Sequence, residues 1–240
     1  MARGASLALT VAVLGTLADT AIGQTTTPML VAHVRYSADT VSETEDTFKV
    51  APFDGVPGDD AVLVNWRFLQ VFRNLGNGIC PFVVLPVPPA IWLGLTVIDV
   101  ERDGDLDLVG VANGREPILL LNDGNANFTL APAGTRFPGS PVSAYRVAAA
   151  DIDGDGFDDL LIGAVTNYQS QLWRNDGTGR FVDISATHLP LWSATVADIQ
   201  PVDLDRDGDI DFVLAQGYGV GRREHNAILL NQGGGHFIYQ

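Results

Sequence analysis

The sequence predicts an all-β chain of tandem four-stranded units, and three observations carry that prediction. An acidic nonapeptide recurs at a fixed spacing of 52 residues: D-V-E-R-D-G-D-L-D from Asp99, D-I-D-G-D-G-F-D-D from Asp151 and D-L-D-R-D-G-D-I-D from Asp203. Each copy runs into a short apolar segment, L-V-G-V-A from Leu108, L-L-I-G-A-V from Leu160 and F-V-L-A-Q-G from Phe212. At this length and composition such a segment reads as a buried strand. A second motif then follows in each copy, an apolar run ending in Asn and Gly and returning to an aromatic: L-L-L-N-D-G-N-A-N-F to Phe128, L-W-R-N-D-G-T-G-R-F to Phe181 and L-L-N-Q-G-G-G-H-F to Phe237. That is a hairpin turn between two strands. One repeat is therefore strand, acidic loop, strand, connector, strand, turn, strand. Four strands in ~50 residues is the content of one propeller blade.

The acidic loops have a chemistry of their own. Side-chain oxygens stand at positions one, three, five and nine, with glycine at position six, where the chain must turn sharply around a hard cation that takes six to eight oxygens. The second copy offers Asp151, Asp153, Asp155 and Asp159, with the carbonyl of Phe157 as the backbone ligand at position seven. The third offers Asp203, Asp205, Asp207 and Asp211, with Asp209 at position seven. The first offers Asp99, Glu101, Asp103 and Asp107, with Asp105 at position seven; Glu101 departs from the pattern because its extra methylene pushes the carboxylate outward. Five carboxylates in nine residues repel one another, so a turn serving only the chain's path has no reason to collect them. Calcium is the ion this donor set suits.

The module is not an EF-hand, which would put a bidentate Glu at position twelve and helices on both sides; position twelve here is Gly110, Ile162 or Leu214. Nor is it the nonapeptide glycine-rich calcium helix, whose period is far shorter. The stretch V-A-A-A-D-I-D-G-D-G-F-D-D-L-L-I-G-A together with L-W-R-N-D-G-T-G-R-F resembles the FG-GAP/VCBS-type repeat, the calcium-loop blade also present in integrin alpha-chain propellers. The resemblance covers about residues 95 to 240. It implies a β-propeller, calcium in the hairpins of matching blades, and a secreted or surface protein that binds or adheres, with a protein or carbohydrate ligand. Family members commonly close with about seven blades.

Charge supports a local origin for the acidity. The three loops hold fifteen of the 29 acidic residues and two of the 14 basic ones, a net of −13 out of the formal −15. Such a chain has no basic face for phosphates, which argues against nucleic acid.

Organisation follows from these landmarks. Residues 1–23 carry Arg3, an apolar stretch from Ala5 to Leu17, and Ala21 and Gly23 ahead of Gln24, the plan of a secretory signal peptide. Asp19 interrupts that stretch too early for a membrane span, and no other segment could cross. Export suits weak calcium sites of ~0.1 to 1 mM. Residues 24–47, polar and acidic from Ser37 to Glu45, read as a flexible lead-in. A degenerate blade spans 48–94: V-F-R-N-L-G-N-G-I-C-P-F aligns Asn74 and Phe82 with the later turns, and its acidic loop should begin near Val50, leaving only Asp54 and Gly55 at ligand positions. Blades with calcium loops span 95–145, 146–198 and 199–240. The expected whole is thus a propeller, closed, open or partial, of about four four-stranded blades with one degenerate, or the scaffold portion of a longer protein. Cys80, the single cysteine, reads as a small buried hydrophobe.

Because strands alternate in direction, the acidic loop after strand one and the turn after strand three should share one end of the blade. The connectors after strands two and four should emerge at the other. The longest, Y-G-V-G-R-R-E-H-N over 218–226, concentrates Arg222, Arg223 and His225. Together with Tyr168 and Tyr218 these are the candidate ligand contacts, because binding residues collect on loops of rigid scaffolds. Of Trp66, Trp92, Trp173 and Trp192, which could line a sugar surface, Trp173 sits in an apolar run and is expected in the core. No G-x-S-x-G or H-E-x-x-H motif occurs and the four histidines are scattered, so a non-enzymatic module is expected, with a secreted hydrolase as the alternative.

Overall fold

The computed structural model describes residues 47–64, 68–76, 81–138, 142–165, 168–217 and 225–240, and their strands group into four antiparallel blades. The first contains β1 (Thr47–Ala51), β2 (Asp60–Val64), β3 (Leu69–Phe72) and β4 (Phe82–Leu85), paired in that order. The second contains β5 (Trp92–Ile98), β6 (Asp107–Arg115), β7 (Ile118–Asn122) and β8 (Phe128–Leu130). The third contains β9 (Val142–Ala150), β10 (Asp159–Ala164), β11 (Gln171–Asn175) and β12 (Phe181–Asp183). The fourth contains β13 (Val196–Val202), β14 (Asp211–Gln216), β15 (Ala227–Asn231) and β16 (Phe237–Tyr239). β6 is long because it runs past its own blade and pairs with β9 through Asn113↔Ser143 and Arg115↔Val142, joining the second and third blades.

The second strand of a blade is apolar along its length because both its faces are covered. Successive side chains point to opposite faces. Leu108, Leu160, Ile162, Phe212 and Leu214 therefore look back to the preceding blade, while Val62, Val64, Val109, Val111 and Leu161 look forward to the following one. The result is three apolar layers rather than one core. The first lies between blades one and two, around Phe53, Val62, Leu69, Trp92 and Leu108. The second lies between blades two and three, around Val109, Leu119, Phe137, Leu160, Trp173 and Phe181. The third lies between blades three and four, around Ile152, Leu161, Leu172, Leu189, Phe212 and Leu229. Trp92 and Trp173 are both buried here, so neither faces a ligand.

Three features differ from expectation. The acidic loop of the first blade is registered from Pro52, two residues later than Val50, so Asp60 falls at position nine. The connector after β8 does not stay at the far end of the blade. It doubles back, burying Phe137 against Phe181 and Trp173 while Arg136 reaches Thr178 in the next blade's turn. The connector after β12 does likewise through a single helical turn, α1 (Ser185–His188): Leu189 is buried between blades three and four, and His188 stacks on His236 with ring centroids 4.0 Å apart. Each wedge removes an apolar side chain from water at the outer rim, which a short surface connector could not do. Among the described residues no helix is long and apolar enough to cross a membrane. The expected leader, the lead-in up to residue 46, Trp66 and Cys80 lie outside the described residues.

Candidate metal centre

Position nine of every loop is a buried aspartate that ties loop to turn. Asp107 Oδ2 accepts the Val100 amide at 3.1 Å, and its Oδ1 accepts the Asn122 amide at 2.8 Å. Asp159 does the same with Ile152 (3.3 Å) and Asn175 (2.7 Å), and Asp211 with Leu204 (2.9 Å) and Asn231 (2.7 Å). Asp60 repeats it with Phe53 (3.2 Å) and Asn74 (2.7 Å). The turn asparagine carries the link to the neighbouring blade. Asn122 Nδ2 donates to the Phe53 carbonyl at 2.8 Å, Asn175 to Val100 at 3.0 Å and Asn231 to Ile152 at 2.9 Å. These groups are shielded from water, where an unpaired partner is costly, so the staple fixes the end of each blade against the one before it.

On that frame the remaining carboxylates converge to different degrees. In the third blade single oxygens of Asp151, Asp153 and Asp159 lie within 4.8 Å of one another, and in the fourth those of Asp203, Asp205 and Asp211 do so. Asp151 also accepts the Gly154 and Gly156 amides at 2.8 and 2.9 Å, which curls the loop around its first residue. Asp203 Oδ1 is buried with no hydrogen-bond partner, an orphaned anion oxygen of the sort a cation satisfies. Position five is tied within the loop and stays outside those three-carboxylate groups: Asp155 accepts the Phe157 amide at 2.8 Å and Asp207 the Asp209 amide at 2.9 Å. Each such bond uses one oxygen of the carboxylate and leaves the other available. Both clusters thus have the composition and spacing to hold a metal ion through hard oxygen donors.

The second blade's loop is less complete. Asp99 accepts the Asp103 and Gly104 amides at 3.1 Å each, and Asp103 accepts the Asp105 amide at 3.0 Å. Glu101, however, pairs with Arg136 at 3.0 Å and does not join a three-carboxylate cluster. Its longer side chain reaches the neighbouring connector, which the sequence pattern of this loop does not reveal. At position seven the side chains point to the turn rather than the loop centre: a Cβ placed on Gly124 would fall 2.6 Å from Asp105, and one on Gly177 would meet the Phe157 ring at 3.0 Å. The turn glycines at φ +74° and +81° are required both by that contact and by their left-handed backbone. Asp209 also lies on the turn side, though less tightly, 3.7 Å from a Cβ placed on Gly233, so position seven has its carbonyl, rather than its carboxylate, to offer the loop.

Burial raises the carboxyl pKa values where the loops are deepest. Asp107 is pushed up to about 6 and Asp159 to about 7, in each case first by desolvation and partly offset by the two amides they accept. Neighbouring carboxylates push further in the same direction, Asp103 and Glu101 on Asp107, and Asp153 and Asp155 on Asp159. Asp205 is raised by desolvation and by Asp207, with Asp211 and Asp203 adding to it. Asp158 was not among the residues expected here. It is raised by burial and then by Asp151 and Asp99, so it stands in the field of two successive loops. Arg102 of the preceding loop covers the Phe157 ring at 5.2 Å.

The opposite end of the blades holds what is described of the candidate ligand contacts. Tyr168 and His225 are exposed; Tyr218, Arg222 and Arg223 lie outside the described residues. Beside Tyr168, Gln169 accepts the Trp192 amide (3.3 Å) and donates to the Pro190 carbonyl (3.0 Å). Trp192 packs on Tyr239 at 5.7 Å, and the Tyr239 hydroxyl donates to Gln216 at 3.0 Å. The Nε1 of Trp192 and the Nε2 of Gln216 are buried donors without a partner. Sequence spacing gave no reason to group Trp192, Gln216 and Tyr239, which come from a connector and two strands.

Comparison with known proteins matches the FG-GAP-like repeat twice, over residues 99–162 and 161–214. No curated protein matches the chain. Among solved structures, the chain is similar to a lectin of Agrocybe aegerita described as specifically recognising non-reducing terminal N-acetylglucosamine. The TM-score is 0.53 at 19% identity, over 80% of this chain and 50% of the lectin, so this chain spans about half of that protein's length. At that identity the likeness speaks for the fold.

Proposed function

From the premise that this is a propeller chain of FG-GAP-type repeats, we propose that it is a non-enzymatic binding module that acts outside the cytoplasm and holds calcium in its blade hairpins. The observation that carries the proposal is the pair of three-carboxylate clusters at equivalent places in consecutive blades. Calcium would be held by Asp151, Asp153, Asp155, the Phe157 carbonyl and Asp159 in the third blade. In the fourth it would be held by Asp203, Asp205, Asp207, the Asp209 carbonyl and Asp211. The second blade's Asp99, Asp103 and Asp107 form a weaker site, because Glu101 is drawn off by Arg136. The ion's role is structural: it removes carboxylate repulsion and couples binding to folding. Residues 1–23 would direct export, where calcium is abundant enough to fill modest sites.

The ligand surface is assigned to the end opposite the calcium loops, where Tyr168 and His225 stand exposed on connectors and Tyr218, Arg222 and Arg223 fall in the same connector as His225. A protein or carbohydrate ligand fits this surface. The carbohydrate reading is favoured by the half-buried Trp192 packed beside the exposed Tyr239, since aromatic rings at a surface suit a sugar's apolar face.

Thermal unfolding with chelator and with millimolar calcium tests the metal assignment. A site filled at 100 times its dissociation constant adds about 2.7 kcal/mol to stability. The melting temperature should fall on chelation and recover on adding calcium; an unchanged melt would refute the assignment. Binding to a glycan array before and after Trp192→Ala tests the ligand end separately.

A further inference from the structure

The two ends of the blade array are halves of the interface that the chain repeats three times within itself. Facing forward from each blade is a cross-strand pair: Val62↔Val71, Val109↔Leu119 and Leu161↔Leu172 in the first three blades and Val213↔Ile228 in the fourth. The first three pairs are buried under the next blade, whereas Val213 and Ile228 are only half-buried, with Leu230 and Ile238 beside them. Position two of the acidic loop tells the same story. Phe53, Val100 and Ile152 are at most 1% exposed beneath the following blade, while Leu204 is 46% exposed.

The backward end shows the complement. Register places Val50, Ala61, Phe72 and Phe82 in one row of the first blade, and Phe48, Leu63, Gln70 and Val84 in the next, all on the face turned away from blade two. Ala61, Leu63 and Phe72 form a small apolar cluster of their own, and Phe48 (57%) and Phe82 (53%) are exposed. Among the described residues the side-chain Nδ2 of Asn74 has no preceding carbonyl of the kind that Asn122, Asn175 and Asn231 bond. An apolar sheet face of this extent on each end marks association. A forward face is built to meet a backward face, and the four described blades present one of each.

We propose that two copies of this chain join head to tail into one eight-bladed ring, the forward face of each fourth blade covering the backward face of the other copy's first blade. The contact is heterologous, and a ring rather than a filament results when its rotation closes. Two copies of four blades reach the upper end of the usual four to eight, and three copies would exceed it.

Sedimentation equilibrium of the calcium-loaded chain over a dilution series tests this. The expected mass is twice that of one chain. Phe82→Lys with Val84→Lys, on the backward face, and Ile228→Lys with Ile238→Lys, on the forward face, should each give a single-chain mass with an unchanged circular dichroism spectrum. Mixed together, the two variants should recover a two-chain species, because one intact face of each kind remains between them. A wild-type chain that sediments as a single copy overturns the proposal, whether its end faces are then covered by residues 1–46 or meet further blades in a longer protein. A two-chain mass that survives in either variant alone also overturns it, since like faces would then be pairing.

Discussion

In the first blade Asp54, at loop position three, meets the guanidinium of Arg73 at 3.1 Å. In the third and fourth blades the equivalent Asp153 and Asp205 each stand within a cluster of three carboxylates. Around these different centres the frame is the same: Asp60, Asp159 and Asp211 accept the same two amides, from the second loop residue and from the turn asparagine. The comparison separates two jobs that a run of aspartates confounds. Position nine belongs to the fold in every blade, and in the third and fourth it also joins positions one and three in the three-carboxylate cluster. In the first blade Arg73 supplies positive charge at close range, with Pro52 and Val56 in place of the carboxylates at positions one and five, whereas Arg174 at the matching place in the third blade stands 4.0 Å from Asp153.

The harshest test of this division is to remove position nine in both kinds of loop. Asp159→Ala leaves two buried amides unpaired, each costing about 1–3 kcal/mol, and removes a calcium ligand. Asp60→Ala should cost a similar amount through the same two bonds. In chemical denaturation the stability gained from calcium should shrink in Asp159→Ala and stay at the wild-type value in Asp60→Ala. A calcium increment that changes in Asp60→Ala would break the comparison.

Position three should then respond with opposite signs. Arg73→Leu, which installs the residue that the second and fourth blades carry there (Leu121 and Leu230) while the third keeps Arg174, strands the nearly buried Asp54 carboxylate and should cost about 2 kcal/mol. Calcium should not restore it, because the loop lacks enough oxygens. Asp205→Asn removes one of several mutually repelling carboxylates, so in chelator it should raise the melting temperature while weakening the response to calcium. Destabilisation of the chelated protein by Asp205→Asn would show that this loop is already satisfied without an ion.

Acidity sharpens the same contrast. Asp107 and Asp159 hold their protons more tightly in the folded chain, to about 6 and about 7, than the ordinary aspartate value of 3.8. The folded state therefore binds more protons than the unfolded one between pH 3.8 and about 7, and stability falls as pH rises through that window. Melting of the chelated protein should occur at a higher temperature at pH 5 than at pH 7.5. With calcium present the ordering should weaken or reverse, since the ion favours the ionised carboxylates.

The fold was legible because its signals are local and repeated. The apolar runs at Leu108, Leu160 and Phe212 and the N-x-G turns mark strands by composition and spacing alone. The first blade's loop was misplaced by two residues because Pro52 and Val56 removed the acidic marks. Asp60 could still have been found, since an Asp opening an apolar run 14 to 20 residues before the turn Asn recurs in all four blades. What could not be read were contacts between blades and those made by the connectors that link them. Glu101 with Arg136, Asp158 in the field of Asp99, and the Phe137 and Leu189 wedges join residues whose proximity is set by stacking, which the spacing of a single repeat does not encode.

The smallest expected effect lies at loop position four, where the backbone is left-handed in each acidic loop: Arg102 at φ +53°, Gly154 at +76° and Arg206 at +66°. A side chain in that region costs roughly 1–2 kcal/mol, and glycine avoids the penalty but loses more freedom on folding. Arg206→Gly should therefore stabilise the fourth blade by about 0.5 kcal/mol, an increment that denaturant midpoints of matched samples can resolve. Arg102→Gly should gain less or nothing, because it gives up the guanidinium over Phe157, a contact worth about 0.5–1 kcal/mol at an exposed site. Equal gains at the two positions would mean that the arginine bridging the second and third loops contributes nothing to holding them in register.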